Sequence, residues 1–243
     1  MNDRIAGRNP VLEALRSGRE IDKIFVKKGQ PEGSLRPLIK KARDRGIIIS
    51  EVDRKKLDEL SDGENHQGVV AFVSEIRYKT IDDILNAAKE RGEAPFVVIL
   101  DKITDPHNIG AIIRTAECAG AHGIIMPKRA SAPINEIVAK TSAGAVEYAN
   151  ICKVTNLSAA IDKLKENGLW ITGADMDGES MYDIDFTGGV GLVIGSEGEG
   201  ISRLVREKCD FIASIPMKGE VSSLNASVAA GILMYEVVRK NLK

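Results

Sequence analysis

Short apolar runs recur along most of this chain, and each is followed by a stretch of helix length. In the second part, residues 96–100, 123–126, 151–154, 169–174, 191–194 and 211–215 read as strands. Residues 108–119, 135–146, 157–166, 201–208 and 224–241 read as the helices between and after them. Connections of that length are crossovers rather than hairpins. Alternating β and α segments therefore predict an α/β fold on a parallel sheet with helices on both faces. In such sheets the ligand crevice lies beyond the carboxyl ends of the strands.

A smaller α/β series precedes this one, with strands expected at 23–26, 46–50 and 68–73 and helices at 34–45 and 54–60. A polar stretch over 75–80, a short helix-like segment over 81–91 and the breaker Gly92-Glu93-Ala94-Pro95 separate the two. The reading is an amino-terminal domain over 1–76, a linker over 77–94 and a larger domain over 95–243.

Several function classes drop out on composition. Of the 243 residues, 43% are hydrophobic and 28% charged, as in globular proteins and unlike disordered chains. The longest apolar runs, such as 96–100 and 232–235, fall far short of the ~18 residues of a membrane span. Residues 1–10 carry charge and no apolar secretory core, so the expected location is the cytoplasm. Cys118, Cys152 and Cys209 are far apart and do not cluster with His66, His107 or His122, so no metal site is expected. Net charge is only −1, yet residues 1–45 hold 12 Lys/Arg against 6 Asp/Glu. Charge alone fits a solvated surface as well as a polyanion partner.

Three loops carry the chemistry. The first, from Asp101, turns at Asp105-Pro106, offers Asn108 as a helix cap and places Arg114 inside a mostly apolar helix, where it can also simply snorkel to solvent. The second, Gly195-Ser196-Glu197-Gly198-Glu199-Gly200, follows a strand directly. Its glycines permit close backbone approach to a ligand, or merely a turn, and its order matches neither common phosphate-binding fingerprint. A carboxylate there disfavours pyrophosphate and tolerates a cationic ligand. In the third, Ser222, Ser223 and Asn225 open the last helix, where capping and ligand contact both fit. Ala226, Ser227, Ala229, Ala230 and Gly231 then permit close packing on another backbone, within the chain or between subunits.

Taken in order, Asn108 to Arg114, Ile194-Gly195-Ser-Glu197-Gly-x-Gly200 and Ile215-Pro-Met through Ser223-Leu-Asn225 resemble the SpoU or TrmH branch of the SPOUT RNA 2'-O-ribose methyltransferases. The resemblance covers about residues 95–243, and the segment from Ile5 to Leu15 looks like the substrate-recognition domain of the RlmB-type members. It implies a carboxy-terminal α/β domain with a trefoil knot, a homodimer, and S-adenosylmethionine as cofactor. Main-chain contacts to that donor carry over to Gly195, Ile215 and Leu224, and the polar catalytic set to Asn108, Arg114, Glu197, Ser223 and Asn225. A guanidinium is always protonated, so Arg114 is assigned to gripping a phosphate rather than to taking a proton.

The implied substrate is ribosomal RNA of the large subunit, at a guanosine 2'-hydroxyl, with the amino-terminal domain binding RNA. Candidates for that surface are Lys23, Lys27, Lys28, Arg36, Lys40, Lys41, Arg43 and Arg45, joined by Arg8. A tRNA 2'-O-methyltransferase is the alternative within the family. A nucleotide-dependent oxidoreductase would need a strand followed by G-x-G-x-x-G, which is absent. A non-catalytic RNA-binding module would show decay of the polar set, which is intact.

Overall fold

The computed structural model describes residues 3–17, 19–30, 33–73, 78–220 and 223–241. The chain divides into two compact units between residues 77 and 78. Ser222 lies outside the described residues.

The first unit runs β1 (Asp3–Ala6), α1 (Arg8–Arg16), β2 (Ile21–Lys27), α2 (Leu35–Asp44), β3 (Ile48–Val52), α3 (Arg54–Ser61) and β4 (Val69–Val73). Its sheet order is β1-β4-β2-β3, with β2 and β3 parallel and β4 antiparallel to both β1 and β2. β1 and α1 precede the point at which the sequence alternation becomes legible, and the sheet is mixed where alternation alone predicts a parallel one. The difference arises at β4, which returns from α3 through the left-handed residues Asp62 and Gly63 and inserts between β1 and β2. Val11, Leu15, Ile24, Val26, Leu35, Leu38, Val69 and Ala71 form the core under α1 and α2.

The second unit contains α4 (Ile81–Arg91), β5 (Phe96–Leu100), α5 (Pro106–Cys118), β6 (Gly123–Pro127), α6 (Glu136–Thr141), β7 (Ile151–Val154), α7 (Leu157–Glu166), β8 (Leu169–Ser180), β9 (Gly189–Ile194), α8 (Arg203–Arg206), β10 (Phe211–Ser214) and α9 (Ala226–Asn241). Its six strands lie in the order β10-β8-β9-β5-β6-β7, and every pair is parallel. β5 is central and all five of its residues are buried, which is why it reads as an unbroken apolar run rather than an alternating one. One face carries α4, α7 and α8 over Ile84, Val97, Ile99, Ile125, Ile161 and Val193. α5 packs on α9, and these two touch β6 and β8–β9 respectively.

The helix-like segment expected over 81–91, within the stretch 77–94 read as a linker, is α4, which begins with a Thr80/Asp83 capping box and buries Ile81, Ile84 and Ala88. Three other stretches depart from the sequence reading. The helix expected over 135–146 ends at Thr141, because Ala143 and Gly144 take left-handed backbone, and resumes only as a 3-10 turn over Ala145–Glu147. β8 continues six residues past its expected end at 174. The expected helix at 201–208 shortens to α8.

Candidate active site

The three loops singled out above leave the carboxyl ends of β5, β9 and β10 and meet at one place. A cavity of about 630 Å³ opens there, and Gly195, Glu197, Ile215, Ser223 and Leu224 all line it. Ile194, Met217, Ala229 and Leu233 supply an apolar wall, with Asp175 and Met176 from the β8 extension on another side. A second hollow of about 570 Å³ is lined by Lys102, Thr104, Asp105 and Asn108 and also by Glu197 and Ala226.

Three side chains form a hydrogen-bonded network. Asn108 Nδ2 donates to Glu197 Oε1 at 3.0 Å, and Asn225 Nδ2 donates to Glu197 Oε1 at 2.5 Å and to Asn108 Oδ1 at 2.9 Å. The Ala226 amide donates to the same carboxylate oxygen at 3.3 Å. The opposite end of Asn225 caps α9: Oδ1 accepts from the Ser227 amide at 3.0 Å, its hydroxyl at 2.6 Å and the Val228 amide at 3.3 Å. One asparagine thus caps α9 with its oxygen and joins the network with its nitrogen. Asn108 is not the cap of α5. That role falls to Asp105, which accepts from the His107 amide at 2.9 Å, because Pro106 starts the helix and puts Asn108 inside its first turn, buried.

Arg114 does not join this network. It is exposed on α5 and makes no side-chain bond to a described residue. Ser223 is exposed at the cavity wall.

The turn after β9 is held shut by its own backbone. Ser196 N donates to Gly200 O at 3.1 Å, Gly200 N donates to Ser196 O at 2.9 Å, and Gly200 sits at φ 66°. A side chain at Gly195 would begin 2.2 Å from the Gly200 carbonyl carbon, so the glycine is required by the turn's closure on itself.

Sequence reasoning missed the groups that brace this turn. Buried Asp101 accepts from the Ser202 amide at 2.7 Å, tying the end of β5 to the far side of the turn. Lys102, in left-handed backbone at φ 58°, pairs with Glu199 at 2.7 Å. Hydrogen bonding within that pair raises the lysine pKa and lowers the glutamate's. Arg206 grips Asp175 at 2.5 Å and Asp177 at 2.8 Å, fixing the β8 extension beside the cavity, and its pKa is raised chiefly by the bond to Asp177. The only sequence signal for these was a pair of charged residues directly after a buried strand. Among the described residues no group of three or more His, Cys, Asp or Glu is placed to hold a metal, and no helix is long and apolar enough to cross a membrane.

In the first unit the nine candidate RNA-facing cations separate into two groups. Arg45 donates to Leu15 O at 2.9 Å, Arg8 to Gln67 O at 2.9 Å, and Lys23 lies 4.8 Å from the Phe25 ring centroid, so these three are occupied internally. Lys27, Lys28, Arg36, Lys40, Lys41 and Arg43 make no side-chain bond to a described residue.

Residues 95–235 match the model of the SpoU rRNA Methylase family. The chain belongs to that family. Residues 4–79 of this SpoU protein match a further model, RNA 2'-O ribose methyltransferase substrate binding. YacO of Bacillus subtilis (strain 168), named for the TrmH family of tRNA/rRNA methyltransferases, is 47% identical over 240 residues, covering 98% of this chain and 96% of its own. The AdoMet-bound rRNA methyltransferase from Sinorhizobium meliloti superposes with a TM-score of 0.60 at 27% identity, over 99% of this chain and 88% of that one. The TrmH/SpoU tRNA modifying enzyme of A. aeolicus superposes with a TM-score of 0.56 at 30% identity, over 61% of this chain and 76% of that one. This SpoU protein is therefore an RNA 2'-O-ribose methyltransferase with an amino-terminal substrate-binding domain and a carboxy-terminal parallel-sheet methyltransferase fold.

Proposed function

We propose that this protein methylates the ribose 2'-hydroxyl of a guanosine in 23S ribosomal RNA, with S-adenosylmethionine as methyl donor. The observation that carries the reading is the Asn108–Glu197–Asn225 network set at the wall of the cavity that Gly195, Ile215 and Leu224 line. The apolar wall suits an adenine, and the glycines of the turn leave room for close approach, so the residues present fit the donor. Bound there, the donor supplies an electrophilic methyl on a sulfonium.

The protein supplies position. A ribose hydroxyl is a poor nucleophile, and holding it in line with the methyl accounts for most of what the site has to achieve. Glu197 is fixed by three donors on one oxygen, which sets the rim of the cavity in one geometry. Arg114, always charged, offers a fork of donors to a target phosphate. It stands apart from the network in its own chain, which supports a homodimer in which α5 of one protomer completes the site of its partner. The same reading carries a trefoil knot formed around the loops after β9 and β10.

Two matches favour ribosomal RNA: the substrate-binding model over 4–79, and the full-length likeness to the Sinorhizobium rRNA enzyme, against 61% coverage for the tRNA enzyme. Mapping 2'-O-methyl groups in 23S rRNA and tRNA from a deletion strain tests this. Loss of one 23S guanosine methyl group, restored by the gene, is the expected result. Loss confined to tRNA would replace the proposed substrate.

A further inference from the structure

Between α2 and the carboxyl end of β2 in the first unit lies a cleft of about 390 Å³, well away in the chain from the methyl-donor cavity. Arg36, Lys40 and Arg43 line it from one face of α2, at the i, i+4, i+7 spacing that stacks side chains along a helix. Lys27, the last residue of β2, joins them. None of the four makes a side-chain hydrogen bond or ion pair with a described residue. Two carboxylates, Asp44 and Glu51, also line the cleft, which leaves four cations against two anions. Ile39 and Val26 give it an apolar floor.

Folding alone gives no reason for this arrangement. Four cations converging on a hollow repel one another, and a concave wall of low dielectric concentrates their field. Arg45 and Arg8 of the same unit are used internally, whereas Arg36 and Arg43 leave their forks open to the cleft.

We propose that this cleft is a phosphate-binding site for the RNA backbone, with Arg36, Lys40, Arg43 and Lys27 on the phosphate oxygens and Ile39 against a ribose or base. The three α2 side chains span ~10 Å of helix, long enough to face more than one phosphate of a strand. The site lies in the substrate-binding domain and rests on the RNA-methyltransferase reading above. It distinguishes four of the nine cations as the grip on RNA and assigns Arg8, Lys23 and Arg45 to the fold.

The test is fluorescence anisotropy of the full-length protein with a fluorescein-labelled mixed-sequence RNA stem-loop over a salt series. The triple variant Arg36→Gln/Lys40→Gln/Arg43→Gln should bind at least ~10-fold more weakly near 0.1 M salt and lose about 2–3 from the slope of log affinity against log salt, as expected for three lost phosphate contacts. Arg54→Gln/Lys55→Gln/Lys56→Gln on α3 removes the same charge outside the cleft and should keep wild-type slope. Arg36→Lys/Arg43→Lys keeps the charge without the planar forks and should bind less tightly at an unchanged slope. Wild-type affinity and slope in the α2 triple variant, or an equal loss in the α3 variant, would overturn the site. Calorimetry with S-adenosylmethionine separates the two readings: RNA and donor both bound by the wild type with no effect of the α2 changes sinks the cleft alone, whereas a wild type that binds neither sinks the enzyme assignment.

Discussion

Gly195→Ala adds one methyl group where the turn after β9 closes on itself, at the wall of the cavity proposed for the methyl donor. Its Cβ would stand 2.2 Å from Gly200 C and 2.4 Å from Gly200 O and Ile201 N, all backbone atoms with no rotamer to yield. Carbon atoms settle ~3.5–4.0 Å apart, so the two arms of the turn must separate by more than ~1 Å. The Ser196–Gly200 pair of hydrogen bonds, 3.1 and 2.9 Å, cannot survive that separation. Two such bonds contribute ~1–3 kcal/mol together and overpacking costs ~1–3 kcal/mol, a total of ~2–6 kcal/mol. Glu197, Gly198 and Glu199 are exposed, so the turn opens before the core gives way. The loss should appear mainly in ligand binding, as a fall in S-adenosylmethionine affinity of at least ~30-fold, the equivalent of ~2 kcal/mol. The drop in Tm should stay below the ~4–8 °C expected if the whole unit absorbed even that lower figure. Gly198→Ala, whose Cβ would meet nothing within 4 Å, is the control in the same turn and should bind normally. Calorimetry on both variants decides the matter. Wild-type donor affinity and unchanged Tm in Gly195→Ala would show that the turn does not need to be closed.

Arg114→Ala should lower the single-turnover rate at saturating RNA with at most a small loss of RNA affinity, since positioning rather than binding is removed. Glu197→Ala leaves the Asn108 amide, which is 6% exposed, without its acceptor; ~1–3 kcal/mol of stability should go, while Glu197→Gln retains more of it. If Glu197→Ala also lowers turnover, mixing it with Arg114→Ala after subunit exchange should bring activity to at least about a quarter of wild type, because half the dimers are then mixed and each of those has one intact site. No recovery despite measured exchange would place both residues in one protomer's site. Burial pushes the His122 imidazole below its ordinary 6.5, against the pull of Glu93, so the folded state keeps it neutral. Its contribution is full above pH 6.5 and is lost as pH falls below that value through the lower folded-state pKa. Melting curves from pH 7.5 to 5 should accordingly fall more steeply for the wild type than for His122→Gln.

What the sequence revealed follows from what each feature depends on. β5, β6 and β9 are legible because burial on both faces leaves uninterrupted apolar runs. The three site loops are legible because Asp105-Pro106, Gly195 and Asn225 need particular residue types for local reasons: a helix start, a turn without room for a side chain, and a cap. The braces were hidden because their partners are distant in the chain. Nothing local to Asp101 points to Ser202, or local to Arg206 to Asp175 and Asp177. The same grip explains the unexpected length of β8. Asp175 and Asp177 interrupt its apolar pattern and fall in an irregular stretch that β10 skips, pairing with Thr172 and Gly173 before it and with Glu179 and Ser180 after it, while Arg206 pins both carboxylates. α4 is legible as a helix-like segment over 81–91, but not as part of the larger unit. Its packing is visible only across the fold, where a Cβ on Gly123 would fall 2.4 Å from Ile84 Cγ1.

The site joining Glu197 to Asn108 and Asn225 is proposed to transfer a methyl group to a ribose hydroxyl of ribosomal RNA. Its most direct test incubates purified protein and methyl-labelled S-adenosylmethionine with 23S rRNA lacking the modification, followed by digestion to nucleosides and mass spectrometry. The label should appear in 2'-O-methylguanosine at a single position, and the adjoining phosphodiester should resist alkali. Label in a methylated base, or none in RNA while the donor binds normally, would contradict it.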